Sequence, residues 1–270
     1  MLGAILGDII GSSYEFDRGE RTKDFELFTD YSTPTDDSIM TIALADALLS
    51  CNENDSDEDI QKVVIERMQA WGNRYPYAGY GSRFIHWLSD RDPKPYGSYG
   101  NGSAMRVSSA GWLYGSLAET RRMARLSAEV SHNHPEGIKG AECTASVIYL
   151  ARTNHSMDEI KDYVEKEFAY DCSETLEQMR QRHRHVESCM DSLPKALRSF
   201  YDGASYEDVV RNAVSLGGDT DTIGAIAGSM AEAYFGIPDD LVDECLKRIP
   251  VSFKEVIDRY YEKIALIDER

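Results

Sequence analysis

The sequence predicts an all-α fold, and two observations carry this prediction. Apolar residues recur at helical spacing in segments such as 2–10, 60–71 and 223–234, and each set places its side chains on one helical face. Runs with the two-residue alternation of a strand are nearly absent. The 270 residues, of which 42% are hydrophobic, can bury one substantial core, and no segment resembles a linker. We therefore expect a single domain over residues 1–270.

Helix start signals support the same assignment. Ser56 with Asp59 and Ser156 with Glu159 have the polar-x-x-acid spacing of a helix N-terminal cap. Turn-forming residues separate the periodic segments, so we expect about ten helices. The connecting loops are expected at residues 13–34, 75–103, 130–136, 170–175 and 215–220.

Charge and cysteine usage limit the class of protein. The chain has 29 Lys and Arg against 47 Asp and Glu, and its formal charge of -18 argues against nonspecific nucleic-acid binding. The five cysteines are dispersed without a CxxC motif, which favours reduced thiols over a disulfide framework or a zinc site. Asp8 interrupts the apolar start and no stretch approaches a membrane span, so we expect a cytoplasmic protein without a membrane partner. The mixed-charge stretch 180–185 is interpreted as a solvated helix face.

Two acidic segments open predicted helices. In residues 33–38, Thr35 can serve as the N-cap while Asp36 and Asp37 complement the positive end of the helix dipole. Residues 217–222, with the sequence GGDTDT, have the same character but offer four oxygen-bearing side chains where a cap needs one. Capping alone therefore explains the first segment more easily than the second.

A metal site explains the oxygen-bearing side chains of these two segments that helix capping does not use. Hard cations such as Mg²⁺ take oxygen ligands, and several carboxylates that converge on one point repel each other unless a cation lies between them. About 180 residues separate the two acidic segments, and no helical period extends that far. The spacing alone therefore leaves open whether the two segments meet.

Three further segments are candidates for ligand contacts. Residues 96–107 hold three glycines before a predicted helix, a pattern that directs backbone N–H groups toward an anion but also suits a plain turn. No Lys follows Gly102 and the GxGxxG order is absent, so this is neither a Walker motif nor a dinucleotide fingerprint. Residues 77–82 form a second glycine loop with aromatic neighbours. In residues 131–136, two histidines at i and i+2 lack the partners of a zinc site, which favours hydrogen bonding to a ligand or to the backbone.

Taken together and in this order, these motifs resemble the ADP-ribosylglycohydrolase family, which includes the dinitrogenase reductase-activating glycohydrolase and the vertebrate ADP-ribosyl-acceptor hydrolases. The resemblance spans about residues 1–235, and its most specific parts are the TDD and GGDTDT segments. The matching positions are Gly7, Asp8, Gly11 and Glu15 near the start, then residues 35–37, 79–81, 100–106, 131–135 and 217–222.

The resemblance implies an orthogonal all-α fold with a binuclear magnesium cleft, in which Mn²⁺ can replace Mg²⁺. The implied metal ligands are Glu15, Thr35, Asp36, Asp37, Asp219, Asp221 and Thr222. The implied catalytic carboxylate, which moves a proton between water and the leaving group, is one of Glu15, Asp36 and Asp37. The implied ADP-ribose contacts are Gly79, Tyr80 and Gly81 on the adenosine side, Gly100, Asn101, Gly102, Ser103 and Met105 at the diphosphate, and His132 or His134.

The activity that this resemblance implies is hydrolysis of the N- or O-glycosidic bond between ADP-ribose and an acceptor, which is an ADP-ribosylated protein or a small molecule. Two other classes stay open: a different magnesium-dependent nucleotide hydrolase, and an ADP-ribose-binding module without turnover. The acceptor is not defined by any motif, although the acidic composition slightly favours a basic acceptor such as arginine. A monomer is the default expectation.

Overall fold

Helices make up the regular structure of the chain, whose computed structural model describes residues 1–17, 21–52, 54–182 and 185–268. These residues contain no strand, and the prediction of an all-α fold is confirmed. The first helices are α1 (Leu2–Ser12), α2 (Asp36–Ser50), α3 (Asp57–Arg74), α4 (Ser82–Ser89), α5 (Gly102–Met105), α6 (Ala110–Leu113), α7 (Leu117–Glu129) and α8 (Pro135–Arg152). The others are α9 (Met157–Phe168), α10 (Leu176–Gln181), α11 (Cys189–Tyr201), α12 (Tyr206–Val214), α13 (Thr220–Phe235), α14 (Asp239–Arg248) and α15 (Val251–Asp268).

The predicted helix caps are present. The Ser56 hydroxyl accepts the backbone N–H of Asp59 at 3.2 Å, and Ser156 and Glu159 exchange both bonds of a capping box. The predicted loop 75–103 is wrong in part because it contains α4. This helix buries Phe84, Trp87 and Leu88. It has only eight residues, which are too few for the helical spacing of its apolar residues to be recognised in the sequence.

The interpretation of residues 180–185 as a helix face is also wrong in part, since among the described residues of this stretch only Arg180 and Gln181 lie in a helix. Helix α10 ends at Gln181, and His185 lies beyond it, where its ring stacks on Phe16 with 4.9 Å between centroids. His183 and Arg184 lie outside the described residues. A tertiary contact, which charge pattern cannot show, therefore places His185 at the cleft.

Helices α1 and α13 pack backbone to backbone at the centre of the fold. A Cβ on Gly7 would overlap the carbonyl group of Gly224, and one on Gly3 would overlap that of Gly228. All of α1 is buried. Glycines at four-residue intervals therefore allow two helices to approach more closely than larger side chains permit.

Asp8 of α1 holds the start of α2 in place. Its carboxylate accepts the backbone N–H groups of Thr35 and Ser38 at 2.9 and 3.0 Å, and also both of their hydroxyl groups. Burial raises the pKa of Asp8 to about 6, although these hydrogen bonds oppose the shift. Because α1 also packs against α13, this anchoring brings the first turns of α2 and α13 together.

The remaining features are consistent with a helical globular chain. A large cluster of buried apolar side chains includes Met1 at one end and Ile264 at the other. The five cysteines are free thiols, as their dispersed spacing predicts. Within the described part of the chain, no helix combines the length and the apolar character needed to cross a membrane.

Candidate active site

A cleft of about 580 Å³ collects most of the residues that the sequence singled out. Its acidic end is lined by Glu15, Phe16, Asp36, Asp37, Glu187, Asp219, Asp221 and Thr222. Its other lining residues include Gly79, Tyr80, Gly81, Arg83, Tyr96, Tyr99, Gly100, Asn101, Gly102, Met105 and His132. The two groups of residues make the ends of the cleft chemically different.

At the acidic end, the two acidic segments meet. The Thr222 hydroxyl donates a hydrogen bond to Asp37 Oδ2 at 3.2 Å, across a separation of 185 residues in sequence. Asp37, Asp219 and Asp221 are each no more than 5% exposed. Both segments open helices, so their carboxylates also face the positive ends of two helix dipoles. The fold thus supplies the contact that sequence spacing left open.

The carboxylates at this end are held in an unfavourable environment. Burial, followed by the charges of neighbouring carboxylates, raises the pKa of Asp36 and Asp37 well above the ordinary value. The pKa values of Asp219 and Asp221 are raised in the same way, with burial as the largest cause. Asp37 Oδ1 is buried and has no hydrogen-bond partner among the described residues. A cation between the carboxylates would offset their repulsion and supply that partner.

The donor set identifies the kind of cation that suits this end. Apart from the ring of His185, the groups available are carboxylates and the hydroxyls of Thr35 and Thr222, that is, oxygen ligands of the type that hard divalent cations prefer. Thr35 does not line the cleft directly: its hydroxyl donates to Asp8 Oδ1 at 2.7 Å and accepts the N–H of Asp37. The second lone pair of this hydroxyl oxygen is left for a metal.

The turn at Glu15 and Phe16 lines the acidic end. The backbone N–H of Phe16 donates to the Gly218 carbonyl at 3.1 Å, which attaches this turn to the GGDTDT segment. Gly217 and Gly218 have φ values of 72° and 79°, a conformation that glycine adopts at low cost.

His185 joins this end, although the sequence analysis did not select it. The ligand atoms of Glu15, His185 and Asp219 all lie within 4.8 Å of one another, which is a spacing compatible with a shared metal ion. His185 Nε2 also lies 2.9 Å from a carboxylate oxygen of Glu187. No motif surrounds this histidine, so no sequence signal distinguishes it.

The glycine-loop end of the cleft, next to the acidic end, is built mainly from backbone and from polar donors. Gly100 and Gly102 border the ring of His132, whose Nε2 would lie 3.4 and 3.1 Å from a Cβ at these two positions. The side chain of Asn101 points the other way and donates to Asp219 Oδ2 at 2.5 Å and to Ser192 at 2.8 Å. Asn101 therefore connects the glycine loop to the acidic end.

The glycine loop at residues 79–81 is attached to the same framework. The Ala78 carbonyl accepts the backbone N–H of Asp36 at 2.9 Å, and Gly79 has a φ of 108°. Tyr80 is buried beside Phe84, with 5.9 Å between ring centroids. Arg83, which the sequence analysis did not select, lies over the Tyr96 ring at 4.6 Å and also lines the cleft.

Two of the predicted ligand contacts, Ser103 and His134, are not among the described residues that line the cleft. Ser103 is fully buried and its hydroxyl donates to the Gly137 carbonyl at 2.7 Å. His134 caps α8 by accepting the N–H of Glu136 at 3.1 Å, and its ring contacts Tyr99 edge to face. Both residues support the loops that line the cleft, and their direct contact with a ligand stays a prediction.

Comparison with known proteins identifies a glycohydrolase. Residues 1–269 match the family model described as ADP-ribosylglycohydrolase, and the chain belongs to this family. The resemblance inferred from the motifs is thereby confirmed, together with the enzyme class, a hydrolase that acts on ADP-ribosylated acceptors.

Relatives and a solved structure agree with this assignment. The chain is 26% identical to the human ADP-ribosylhydrolase ARH3, over 97% of this chain and 89% of that protein. It is 24% identical to the ADP-ribosyl-[dinitrogen reductase] glycohydrolase of Rhodospirillum rubrum, over 97% and 93%. It is also 24% identical to the ADP-ribosylarginine hydrolase Tri1 of Pseudomonas putida, over 100% and 78%. A structure described as an ADP-ribosylglycohydrolase-related protein complex shares the fold, with a TM-score of 0.67 and 23% identity over 98% of this chain and 95% of that chain.

Proposed function

We propose that this protein is a magnesium-dependent hydrolase that releases ADP-ribose from an acceptor, with two metal ions at the acidic end of the cleft. The observation that carries the proposal is the meeting of Asp36 and Asp37 with Asp219 and Asp221 in one cluster, in which Asp37, Asp219 and Asp221 are buried. Four carboxylates in such a position need cations, and a glycine loop beside them suits the diphosphate of the substrate.

The residues that would hold the metal are those of the acidic end. Asp36, Asp37, Asp219 and Asp221 supply carboxylate oxygens, with Glu15 from the adjoining turn, and Thr35 and Thr222 add hydroxyl oxygens. When bound, divalent cations supply the positive charge that holds ribose hydroxyls and makes water a better nucleophile, a role in which Mn²⁺ can replace Mg²⁺.

The chain itself orients the substrate and moves a proton. Gly100 and Gly102 leave room for the diphosphate next to His132, while the residue 79–81 loop receives the adenosine side. One carboxylate among Glu15, Asp36 and Asp37 passes a proton between the attacking water and the leaving group as positive charge develops on the ribose. Orientation of the distal ribose between these groups contributes much of the rate.

The border of the acidic end favours a basic acceptor. Glu15 and Glu187 line the cleft here, and the formal charge of the whole chain is -18. Such a border attracts a cationic group such as a guanidinium and repels an anionic one. We therefore place an ADP-ribosylated arginine side chain first among the acceptors to be tested.

The experiment is a release assay with defined substrates. Purified protein is incubated with arginine-linked, serine-linked and nucleic-acid-linked ADP-ribose, with Mg²⁺ or with EDTA, and free ADP-ribose and inorganic phosphate are measured. Release of ADP-ribose from one linkage, abolished by EDTA, is the expected result. Release of phosphate instead would identify another nucleotide hydrolase, and tight ADP-ribose binding without any release would identify a binding module.

A further inference from the structure

A line of hydrogen bonds beneath the cleft connects Arg106 to His132. Arg106 Nη2 donates to the Ser131 hydroxyl oxygen at 3.0 Å, and that oxygen lies 2.8 Å from His132 Nδ1. Arg106, Ser131 and His132 are 1%, 0% and 5% exposed. Water therefore has little access to these three side chains, and their partners are set by the fold.

The order of donors in this line fixes the hydrogen on the histidine. A guanidinium has no acceptor, so Arg106 must be the donor to Ser131. The Ser131 hydroxyl has one hydrogen, and the acceptor within reach is His132 Nδ1. If Nδ1 carried a hydrogen instead, the buried serine hydroxyl would lack an acceptor, which costs free energy. His132 Nδ1 is therefore the bare nitrogen, and Nε2 carries the hydrogen.

The protonated nitrogen lies where a ligand would be. Nε2 is on the side of the ring that borders Gly100 and Gly102, and the ring lines the cleft. The rings of Tyr96 and Phe84 lie 5.9 and 6.4 Å from it, centroid to centroid, and limit its rotation. An N–H in this position points toward the space that the two glycines leave open.

Arg106 has a second effect on the same space. Its other hydrogen bonds run to the carbonyl oxygens of Gly102 and Ser127, at 3.1 and 2.8 Å. These acceptors and the Ser131 hydroxyl are neutral, so they do not cancel the positive charge beneath the glycine loop. Burial, followed by the charges of Arg106 and Arg83, also lowers the pKa of His132 well below its ordinary value. The ring is thus neutral at pH 7, and its ability to donate depends on which nitrogen holds the hydrogen.

We propose that Arg106 and Ser131 are positioning residues that keep the hydrogen of His132 on Nε2, so that this nitrogen donates a hydrogen bond to the anionic diphosphate beside Gly100 and Gly102. This inference rests on the proposed function, which defines the anion as the diphosphate of ADP-ribose. This line of hydrogen bonds from Arg106 through Ser131 to His132, the relay, gives Ser131 a role in ligand affinity although Ser131 does not touch the ligand.

A double-mutant cycle tests whether Ser131 acts through His132. Affinity for ADP-ribose is measured by calorimetry in Mg²⁺ for wild type, Ser131→Ala, His132→Phe and the double variant. We expect each single change to weaken binding about tenfold, equivalent to ~1.4 kcal/mol, and the double variant to be within twofold of His132→Phe. His132→Gln, whose amide nitrogen reaches toward the Nε2 position, should recover part of the loss seen with His132→Phe. Independent, additive losses, or an unchanged affinity in Ser131→Ala, would overturn the relay.

A matched control distinguishes loss of the Ser131–His132 hydrogen bond from the general effect of removing a buried serine hydroxyl. Ser146 on α8 is fully buried and its hydroxyl has no partner among the described residues. Ser146→Ala should leave ADP-ribose affinity unchanged. Thermal unfolding of each variant checks that it is folded.

Nitrogen-15 NMR of the histidine rings in wild type gives a readout that needs no ligand to bind. The long-range proton couplings of His132 should show hydrogen on Nε2 and a bare Nδ1 in wild type, with the signal assigned by its loss in His132→Phe. Hydrogen on Nδ1 in wild type would refute the inference. If wild type neither binds nor releases ADP-ribose, the proposed function fails, while the NMR result still decides how the ring is held.

Discussion

The acidic end and the glycine-loop end of the cleft differ in the groups that they offer to a ligand. The acidic end consists of buried carboxylate side chains whose mutual repulsion raises their pKa values. The glycine-loop end consists of backbone next to a histidine, with the guanidinium of Arg106 beneath it. The first therefore needs cations before it can accept a ligand, whereas the second is ready for an anion as it stands.

The difference indicates how one cleft can take a substrate with two unlike parts. A diphosphate brought to the acidic end without cations would be repelled, and a ribose with its hydroxyls gains little from a positively charged loop. Under the proposed function, this difference would favour one orientation of the substrate in the cleft. Asn101, which lies on the glycine loop and donates to Asp219, links the two ends.

The largest expected effect comes from a change at the acidic end. Asp37→Asn keeps the shape of the side chain and removes one charge, so turnover should fall about 10³-fold, the equivalent of ~4 kcal/mol of lost stabilisation. The same variant in EDTA should be more stable than wild type at pH 7, because a buried carboxylate with a raised pKa is removed. ADP-ribose release and thermal unfolding measure the two effects. Asp162→Asn, an exposed change on α9, is the control, and turnover within tenfold of wild type in Asp37→Asn would remove Asp37 from the metal site.

The next effect falls on the residue that joins the two ends. Asn101→Ala takes a hydrogen-bond donor from Asp219, and loss of such a partner lowers metal affinity or activity about 10- to 100-fold. We expect a higher Mg²⁺ requirement together with weaker ADP-ribose binding, measured by Mg²⁺ titration of the release reaction and by calorimetry. Asn73→Ala, outside the cleft, should change neither. A change in ADP-ribose affinity alone would show that Asp219 does not depend on Asn101.

A smaller effect is expected at the glycine loop. In Gly102→Ala, the new Cβ would lie 3.1 Å from His132 Nε2 and fill part of the space for the anion. Overpacking of this kind costs on the order of 1–3 kcal/mol, so KM should rise about tenfold while kcat stays within threefold. Gly115→Ala is the matched control because its Cβ would meet open space. A fall in kcat without a change in KM would contradict the assignment of this end to ground-state binding.

The smallest effect concerns Lys23, which lies between Glu15 and Thr35 in the sequence. Lys23 pairs with Asp208 of α12 in a partly exposed ion pair. Burial opposes the shift, but the hydrogen bond from Lys23 and the backbone bond from Ala204 lower the pKa of Asp208 below its ordinary value. Asp208→Asn should therefore lower the free energy of unfolding by less than ~1 kcal/mol at pH 7, as is usual for exposed pairs.

The sign of this effect follows from the lowered pKa. The stabilisation is complete above the ordinary pKa of 3.8 and is lost as pH falls through the lower value of the folded protein. Wild type and Asp208→Asn should thus converge in urea unfolding experiments as the pH is reduced below 3.8. A difference that grows toward low pH would show that Asp208 acts in another way.

Much of the candidate site was predictable because its signals are local. The TDD and GGDTDT segments lie at helix starts, as the residue pattern indicates, and the glycine loop precedes a helix as expected. His185 and Arg83 were not predictable, since neither belongs to a pattern with a local cause. The short helix α4 was not predicted, because its eight residues make about two turns and give too few repeats of the helical apolar spacing.

The sequence by itself determined the helical class, the main helix caps and the side chains that can supply oxygen ligands. The reason is that helical spacing and capping act over a few residues. Only the tertiary structure decided that Asp37 and Thr222 touch across 185 positions. That contact depends on the close approach of α1 and α13 through their glycines and on the bonds from Asp8 to the start of α2. Which nitrogen of His132 carries its hydrogen was decided in the same way, because burial leaves Arg106 and Ser131 with one arrangement of donors and acceptors.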